Sequence, residues 1–181
     1  MKHIWLVLKL ILLIYLSYLI YFLAVRYDPT SPAFRPAVII WILDIINLYI
    51  HEAGHFFFNI FGRWMHFLGG SLFQCLVPLA LLIVTWRQNR SHSFYSGFWL
   101  GESLINVSIY IRDAPYRRLH LIGKGLIHDW NWLLSGNLES AEPIADVVFI
   151  LGIILCILAV ITGFFFAFYD FRWYKEKPLP K

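Results

Sequence analysis

Charged residues are scarce in this chain of 181 residues. They make up 14% of the sequence, whereas soluble domains usually contain about 25%. Hydrophobic residues reach 60%, and the mean hydropathy is +0.66. A soluble fold of this length has too little interior to hide so much apolar surface. The composition therefore predicts an integral membrane protein that has lipids as its surroundings.

The sequence also lacks a cluster of basic residues and is poor in cysteine. The net charge is +4, and lysine and arginine lie mostly at the ends of apolar runs, where they suit lipid headgroups. A nucleic-acid-binding protein would need a basic face, so we exclude nucleic acid as a partner. The two cysteines, Cys75 and Cys156, lie inside apolar runs. We interpret them as packing thiols rather than as a disulfide or a metal pair.

Five apolar runs reach or approach the length of about 20 residues that a helix needs to cross a bilayer. They cover residues 4–25, 37–61, 67–86, 94–111 and 147–169. The pattern predicts an all-α, multi-pass membrane helix bundle with about five transmembrane helices. We expect one membrane-embedded domain over residues 1–181, in a membrane of the bacterial cytoplasmic type.

The only long connector covers residues 112–146 and is semi-polar. Loops of this length in compact proteins are usually functional or disordered. Trp130 and Trp132 argue against disorder, because tryptophan favours burial or the membrane interface. We therefore expect this connector to be ordered and to lie over a site.

The second apolar run carries a stripe of polar residues. Asp44, Asn47, His51 and His55 fall within about 80° of one another around a helix axis. An ionisable group that faces lipid costs at least ~2.5–3.5 kcal/mol, so the stripe is expected to face the protein interior. Polar residues placed this way inside a membrane indicate a functional site.

The spacing within this stripe indicates zinc hydrolysis. His51 and His55, four residues apart on one helix face, are able to chelate a single Zn²⁺. Glu52 follows His51, as in the HExxH motif of zinc hydrolases, where this glutamate is the general base and not a ligand. Zinc lowers the pKa of a bound water to about 7, which makes hydroxide available at neutral pH. The motif therefore predicts Zn²⁺ as the cofactor.

The sequence leaves the third zinc ligand open among four residues. We favour His128 by elimination, because Asp129 is expected to cap a short helix and Asp113 to form a turn before Pro115. Asp113, Asp129 and Glu102 remain the alternatives, since zinc accepts any of these donors. Three further polar residues are expected to line the pocket: Asp44, Asn47 and Asn106.

The chain from Leu48 to Asp113 resembles the site-2-protease-like intramembrane zinc metallopeptidases. The resemblance rests on His51-Glu52-Ala53-Gly54-His55 in a transmembrane helix, followed by Phe61-Gly62-Arg63, by Gly69-Gly70 and by a further apolar span. In that family a later helix carries an asparagine and an aspartate that is the third ligand, and Asn106 and Asp113 are the matching positions. Ala114 stands where the family has glycine. The resemblance implies hydrolysis of peptide bonds in a membrane-protein or peptide substrate.

Two other interpretations stay open. A non-enzymatic membrane protein that binds or transports metal would use the same polar stripe, and it should tolerate the loss of Glu52 better than the loss of the histidines. A degenerate protease-like scaffold would hold no metal.

Overall fold

The fold is known from a computed structural model, which describes residues 2–119, 123 and 126–173. All regular structure in these residues is helical. The α-helices are α1 (Lys2–Val25), α2 (Val38–Phe58), α3 (Arg63–Gln88), α4 (Ser93–Arg112), α5 (Asp129–Leu133) and α6 (Ala141–Trp173). Short 3₁₀ turns cover Asn59–Phe61, Arg90–His92 and Leu138–Ser140. The predicted all-α class is confirmed for the described part of the chain.

In the part of the chain that the structure describes, three helical segments are long and apolar enough to cross a membrane. They are His3–Val25, Arg63–Gln88 and Leu138–Trp173, which correspond to α1, α3 and α6 with its preceding turn. Most of the residues on their outer faces are large, exposed and apolar, as lipid contact requires. Helices α2 and α4 correspond to the other two predicted spans, but their polar residues lower their hydropathy. Five complete crossings therefore remain a prediction.

Helix α4 occupies the middle of the bundle. Most of its residues are buried, and it packs on α3 and α6, with further contacts to α2 and α5. Small residues allow the close approach to α6, since a Cβ on Gly101 would lie 2.5 Å from Cys156 Sγ and 2.7 Å from the Gly152 carbonyl oxygen. Helix α1 also packs on α6. This arrangement surrounds the polar groups of α4 with protein on several sides.

Four pairs of packed helices in the bundle run antiparallel: α1 with α6, α4 with α6, α3 with α4, and α2 with α3. The contacts that establish this are His3–Phe171 and Leu13–Gly163 for α1 with α6, Gly97–Ala159 and Gly101–Cys156 for α4 with α6, Gln74–Asn106 and Thr85–Ser96 for α3 with α4, and Gly54–Gly69 and His55–His66 for α2 with α3. Consequently α1, α2 and α4 share one direction. If successive helices crossed the membrane in alternating directions, α1 and α2 would be antiparallel. Because they run in the same direction, the connection over residues 26–37 has to lead back toward the start of α1 before α2 begins.

The two ends of the bundle differ in character. One end gathers the start of α1, the end of α3 and the end of α6, and there Lys9 contacts both Ser91 and Asp170. The other end gathers the last turns of α2 and α4, the first turn of α3 and the short helix α5. The HExxH segment lies at this second end.

Candidate metal centre

The polar stripe of α2 faces the protein interior. Asn47 is 1% exposed and donates to Glu102 Oε2 on α4 over 2.8 Å. His51, one turn further along, is 7% exposed and points at α5. Asp44 and His55, at the two ends of the stripe, are half-buried. The 3.6-residue repeat of the helix is what brings these side chains to one face.

His51, His55 and Asp129 converge on one point. Their three ligand atoms all lie within 4.8 Å of one another. Asp129 Oδ2 is 2.9 Å from His51 Nε2 and 3.3 Å from His55 Nε2. Two donors therefore come from consecutive turns of α2, and the third comes from the first residue of α5.

The surroundings fix both imidazole rings. His55 Nδ1 lies 2.7 Å from the backbone carbonyl oxygen of His66 on α3. That carbonyl accepts only from an N–H, so Nδ1 carries the proton and the Nε2 lone pair is left for a ligand. His51 fits against Gly70, where a Cβ would lie 2.5 Å from Nε2. Only glycine leaves room for this ring.

The carboxylate of Asp129 is held by Tyr110 as well as by the histidines. The Tyr110 hydroxyl donates to Asp129 Oδ2 over 3.2 Å and accepts from the Asp129 backbone N–H over 3.1 Å. Burial raises the pKa of the Asp129 carboxyl, but hydrogen bonds and charge interactions with His51 and His55 outweigh burial and bring the pKa to about 2. Asp129 is therefore an anion, as a metal ligand must be.

Aromatic contacts dock α5 on α3 and so place Asp129. The Trp130 indole donates to Ser71 Oγ over 3.0 Å. The Trp132 ring stacks on Phe67 with the ring centres 4.3 Å apart, and the Arg63 guanidinium lies 5.2 Å from the Trp132 ring. Several weak contacts thus bring a connector residue to the histidines on α2.

These residues fit a divalent metal ion. Two imidazole nitrogens and one carboxylate oxygen are a donor set that zinc uses in catalytic sites, with a fourth position left for water. Bonds of about 2.0–2.1 Å in tetrahedral geometry separate neighbouring donors by about 3.3 Å. The distances of 2.9 and 3.3 Å from Asp129 to the two histidines are close to this spacing. The group can therefore hold a metal with small side-chain adjustments.

Glu52 lies beside this group without belonging to it. Its side chain is half-buried, and it follows His51 directly in α2. The three converging donors come from other residues.

His128, the favoured third ligand, has another place. Its Nδ1 accepts from the Asn131 backbone N–H over 3.3 Å, so His128 is the N-cap of α5. Its ring packs against Tyr110 with the ring centres 4.2 Å apart and the planes tilted by 38°, and its Nε2 is 3.4 Å from Asp113 Oδ2. Burial lowers the pKa of His128. The elimination was wrong in one step: it gave the cap to Asp129, whereas the preceding residue caps the helix and frees Asp129 to face the histidines.

Asp113 forms the turn that was expected of it. Its two carboxylate oxygens accept from the backbone N–H groups of Arg118 and Leu119, each over 2.9 Å. Asp113 therefore supports the chain after α4 and lies outside the converging group. It is the residue that the family resemblance aligns with the third ligand. The short helix begins at Asp129, the residue that was expected to cap it.

Glu102 and the three predicted pocket residues form a separate buried cluster. Asn106 Nδ2 donates to Asp44 Oδ1 over 2.9 Å, and Asn47 donates to Glu102. Glu102 is thus engaged with α2 and lies outside the converging group. The predicted pocket residues share one interior cluster with it, about one helical turn from His51 along α2.

Sequence reasoning missed the parts that hold the ligands in place. Tyr110 gave no signal, because a tyrosine near the end of an apolar helix is typical of membrane interfaces. Gly69 and Gly70 entered only through the family resemblance, and they lie within α3 in close contact with α2. His66 contributes through its backbone carbonyl, which no side-chain pattern can reveal.

Comparisons with protein-family models, with curated proteins and with solved structures found no match for this chain.

Proposed function

We propose that this chain is a membrane-embedded zinc metallopeptidase. The observation that carries the proposal is the convergence of His51, His55 and Asp129 within 4.8 Å, with Glu52 next to the first ligand. A structural role for two histidines in a membrane helix would not require a buried carboxylate to meet them from a separate connector. The burial of charged groups is costly, so their gathering at one point favours a metal.

His51, His55 and Asp129 would hold the zinc ion. When bound there, zinc would act as a Lewis acid and provide a nucleophilic water at neutral pH. Glu52 is the general base: it accepts a proton from the attacking water and later passes it to the leaving amine. Tyr110 and the His66 carbonyl are positioning groups, because they orient Asp129 and His55 rather than touch the substrate.

The peptide-bond substrate rests on the family resemblance and on the membrane setting. A site among apolar helices is reached by a membrane-protein segment or by a hydrophobic peptide. The exposed apolar side chains of α1, α3 and α6 would contact lipid. We propose a multi-pass protein of a bacterial-type cytoplasmic membrane.

The proposal is tested by comparing wild type with Glu52→Gln in detergent, with dye-labelled casein as the substrate. Both proteins should bind about one zinc per chain, and Glu52→Gln should lose cleavage by at least about 100-fold, the usual contribution of a general base. Glu139→Gln changes an exposed acid in the turn before α6 and should retain activity. Zinc-loaded wild type that cleaves no better than Glu52→Gln would contradict a peptidase and favour a metal-binding or transport protein.

A further inference from the structure

We propose that Asp44 and Glu102, here called the carboxyl pair, form a proton-binding site inside the bundle that is separate from the metal centre. Asp44 lies on α2 and Glu102 lies on α4, and each carboxyl group is within hydrogen-bonding reach of the other. Two carboxylates cannot hydrogen-bond to each other, because neither offers a donor. A proton or a cation must therefore join them.

Glu102 is fully buried, at 0% exposed. Its Oε2 accepts from Asn47, and its Oε1 is buried without a donor among the described residues. An anionic oxygen left without a donor in an apolar interior is strongly unfavourable, and such groups become neutral instead. The unpartnered oxygen therefore indicates that the proton is part of the native structure.

Among the described residues, the carboxyl pair has no cationic partner. The titratable groups that face it from the segment after α1, from α3 and from α6 are Tyr27, Cys75 and Cys156. Each of these side chains is neutral near pH 7. Within the part of the chain that the structure describes, no lysine, arginine or histidine forms an ion pair with either carboxyl. Two negative charges would be uncompensated, and a single shared proton removes one of them.

The neighbouring amides favour a proton over a metal cation. The indole of Trp99 donates to Asn47 Oδ1 over 2.8 Å, and Ser103 donates to the same oxygen over 3.2 Å. Because an indole N–H can only donate, the Asn47 oxygen must face Trp99 and its NH₂ must face Glu102. Gln74 and Asn106 repeat this arrangement on the Asp44 side. The carboxyl pair thus accepts N–H groups from Asn47 and Asn106 and the hydroxyl of Tyr27, and donors of this kind suit a proton-sharing pair, whereas a cation needs further oxygen ligands.

The first test is infrared spectroscopy of the wild-type protein in lipid at neutral pH. The carbonyl-stretch band of a protonated carboxylic acid should be present and should disappear in Glu102→Gln or in Asp44→Asn. Asp170→Asn changes a carboxyl that contacts Lys9 at the far end of the bundle, and the band should persist there. A wild-type spectrum without the band, or a band that survives both substitutions, would overturn the proposal.

The second test measures the equilibrium constant for unfolding in mixed detergent micelles against pH. At neutral pH and above, the folded pair holds one proton, whereas both carboxyl groups are already ionised in the unfolded chain. The stability of wild type should therefore fall as the pH rises. The equilibrium constant should shift by up to about tenfold per pH unit. Glutamine imitates the protonated acid, so Glu102→Gln should show a weaker pH dependence. Equal pH dependence in the two proteins, or stabilisation of wild type by sodium that is absent in Glu102→Gln, would contradict a proton site.

Discussion

Single residues around the metal centre act mainly by leaving room or by orienting a donor. Gly70 is the clearest case, because the His51 ring occupies the volume where any other side chain would begin. The Tyr110 hydroxyl is the second, since it touches both the carboxylate and the backbone N–H of Asp129. Neither residue is a ligand, and both determine where a ligand lies.

Gly70→Ala should therefore weaken zinc binding by about 10–100-fold, the usual effect of disturbing the support of a ligand. The added Cβ would lie 2.5 Å from His51 Nε2 and push the ring away from Asp129. Gly136→Ala is the matched control, because a Cβ at Gly136 meets nothing within 4 Å. Isothermal titration with zinc measures both. Equal affinities in the two variants would show that the His51 ring does not bind the metal.

Tyr110→Phe should weaken zinc binding by about 10-fold while leaving the fold intact. The substitution removes two hydrogen bonds to Asp129 and keeps the ring that packs against His51 and His128. Tyr116→Phe, at an exposed position after α4, should change nothing. Unchanged affinity in Tyr110→Phe would mean that Asp129 needs no support from α4.

At the scale of elements, the site depends on how closely α2 approaches α3. A Cβ on Gly54 would lie 2.3 Å from the Gly69 carbonyl oxygen, which is backbone and cannot rotate away. Gly54→Ala should separate the helices and lower the free energy of unfolding by about 1–3 kcal/mol. Gly97→Ala, whose closest contact would be the Ala159 methyl at 3.2 Å, should have a smaller effect. Thermal unfolding in detergent compares them, and the opposite order would contradict this packing.

The docking of α5 should matter for the metal although none of its aromatic residues is a ligand. Trp132→Ala removes the stack on Phe67, and an aromatic pair of this kind contributes about 0.5–1.5 kcal/mol. We expect zinc affinity to fall about fivefold, with faster hydrogen exchange over Asp129–Leu133. Trp5→Ala, in the exposed first turns of α1, is the control. If Trp132→Ala binds zinc as tightly as wild type, the third ligand would have to lie outside α5.

The helices and half of the site could be predicted from the sequence. Apolar runs and the spacing of His51 and His55 are local patterns, and a helix of known period converts them directly into faces. The position of Asp129 depends on a cap formed by the preceding residue, and the orientation of His55 depends on the His66 backbone carbonyl of α3. Such interactions join segments far apart in sequence, so no local pattern reports them.

At the scale of the whole molecule, α1, α2 and α4 run in one direction, and this determines which helix ends lie at the same end of the bundle. Asn59, after α2, and Ser135, after α5, should lie at one end of the bundle, and Asn89, after α3, should lie at the other. A single cysteine is introduced at each of these exposed positions and labelled with a membrane-impermeant maleimide. Asn59→Cys and Ser135→Cys should be labelled from one side of the membrane, and Asn89→Cys should be labelled from the opposite side. The unmodified protein, whose cysteines lie in apolar surroundings, measures the background. Labelling of all three from one side would contradict this arrangement.

The central claim is that His51, His55 and Asp129 together hold one zinc ion. The most direct test is zinc binding by purified wild type, Asp129→Asn, Asp113→Asn and His128→Gln. Wild type should bind about one zinc per chain, and Asp129→Asn should lose at least about 100-fold in affinity, because loss of a ligand exceeds the 10–100-fold effect of losing its support. Asp113→Asn should stay within a few-fold of wild type, and His128→Gln should lose no more than about 10-fold, because it weakens the cap of α5 and removes no ligand. Zinc retained by Asp129→Asn and lost by either of the other two variants would contradict the account.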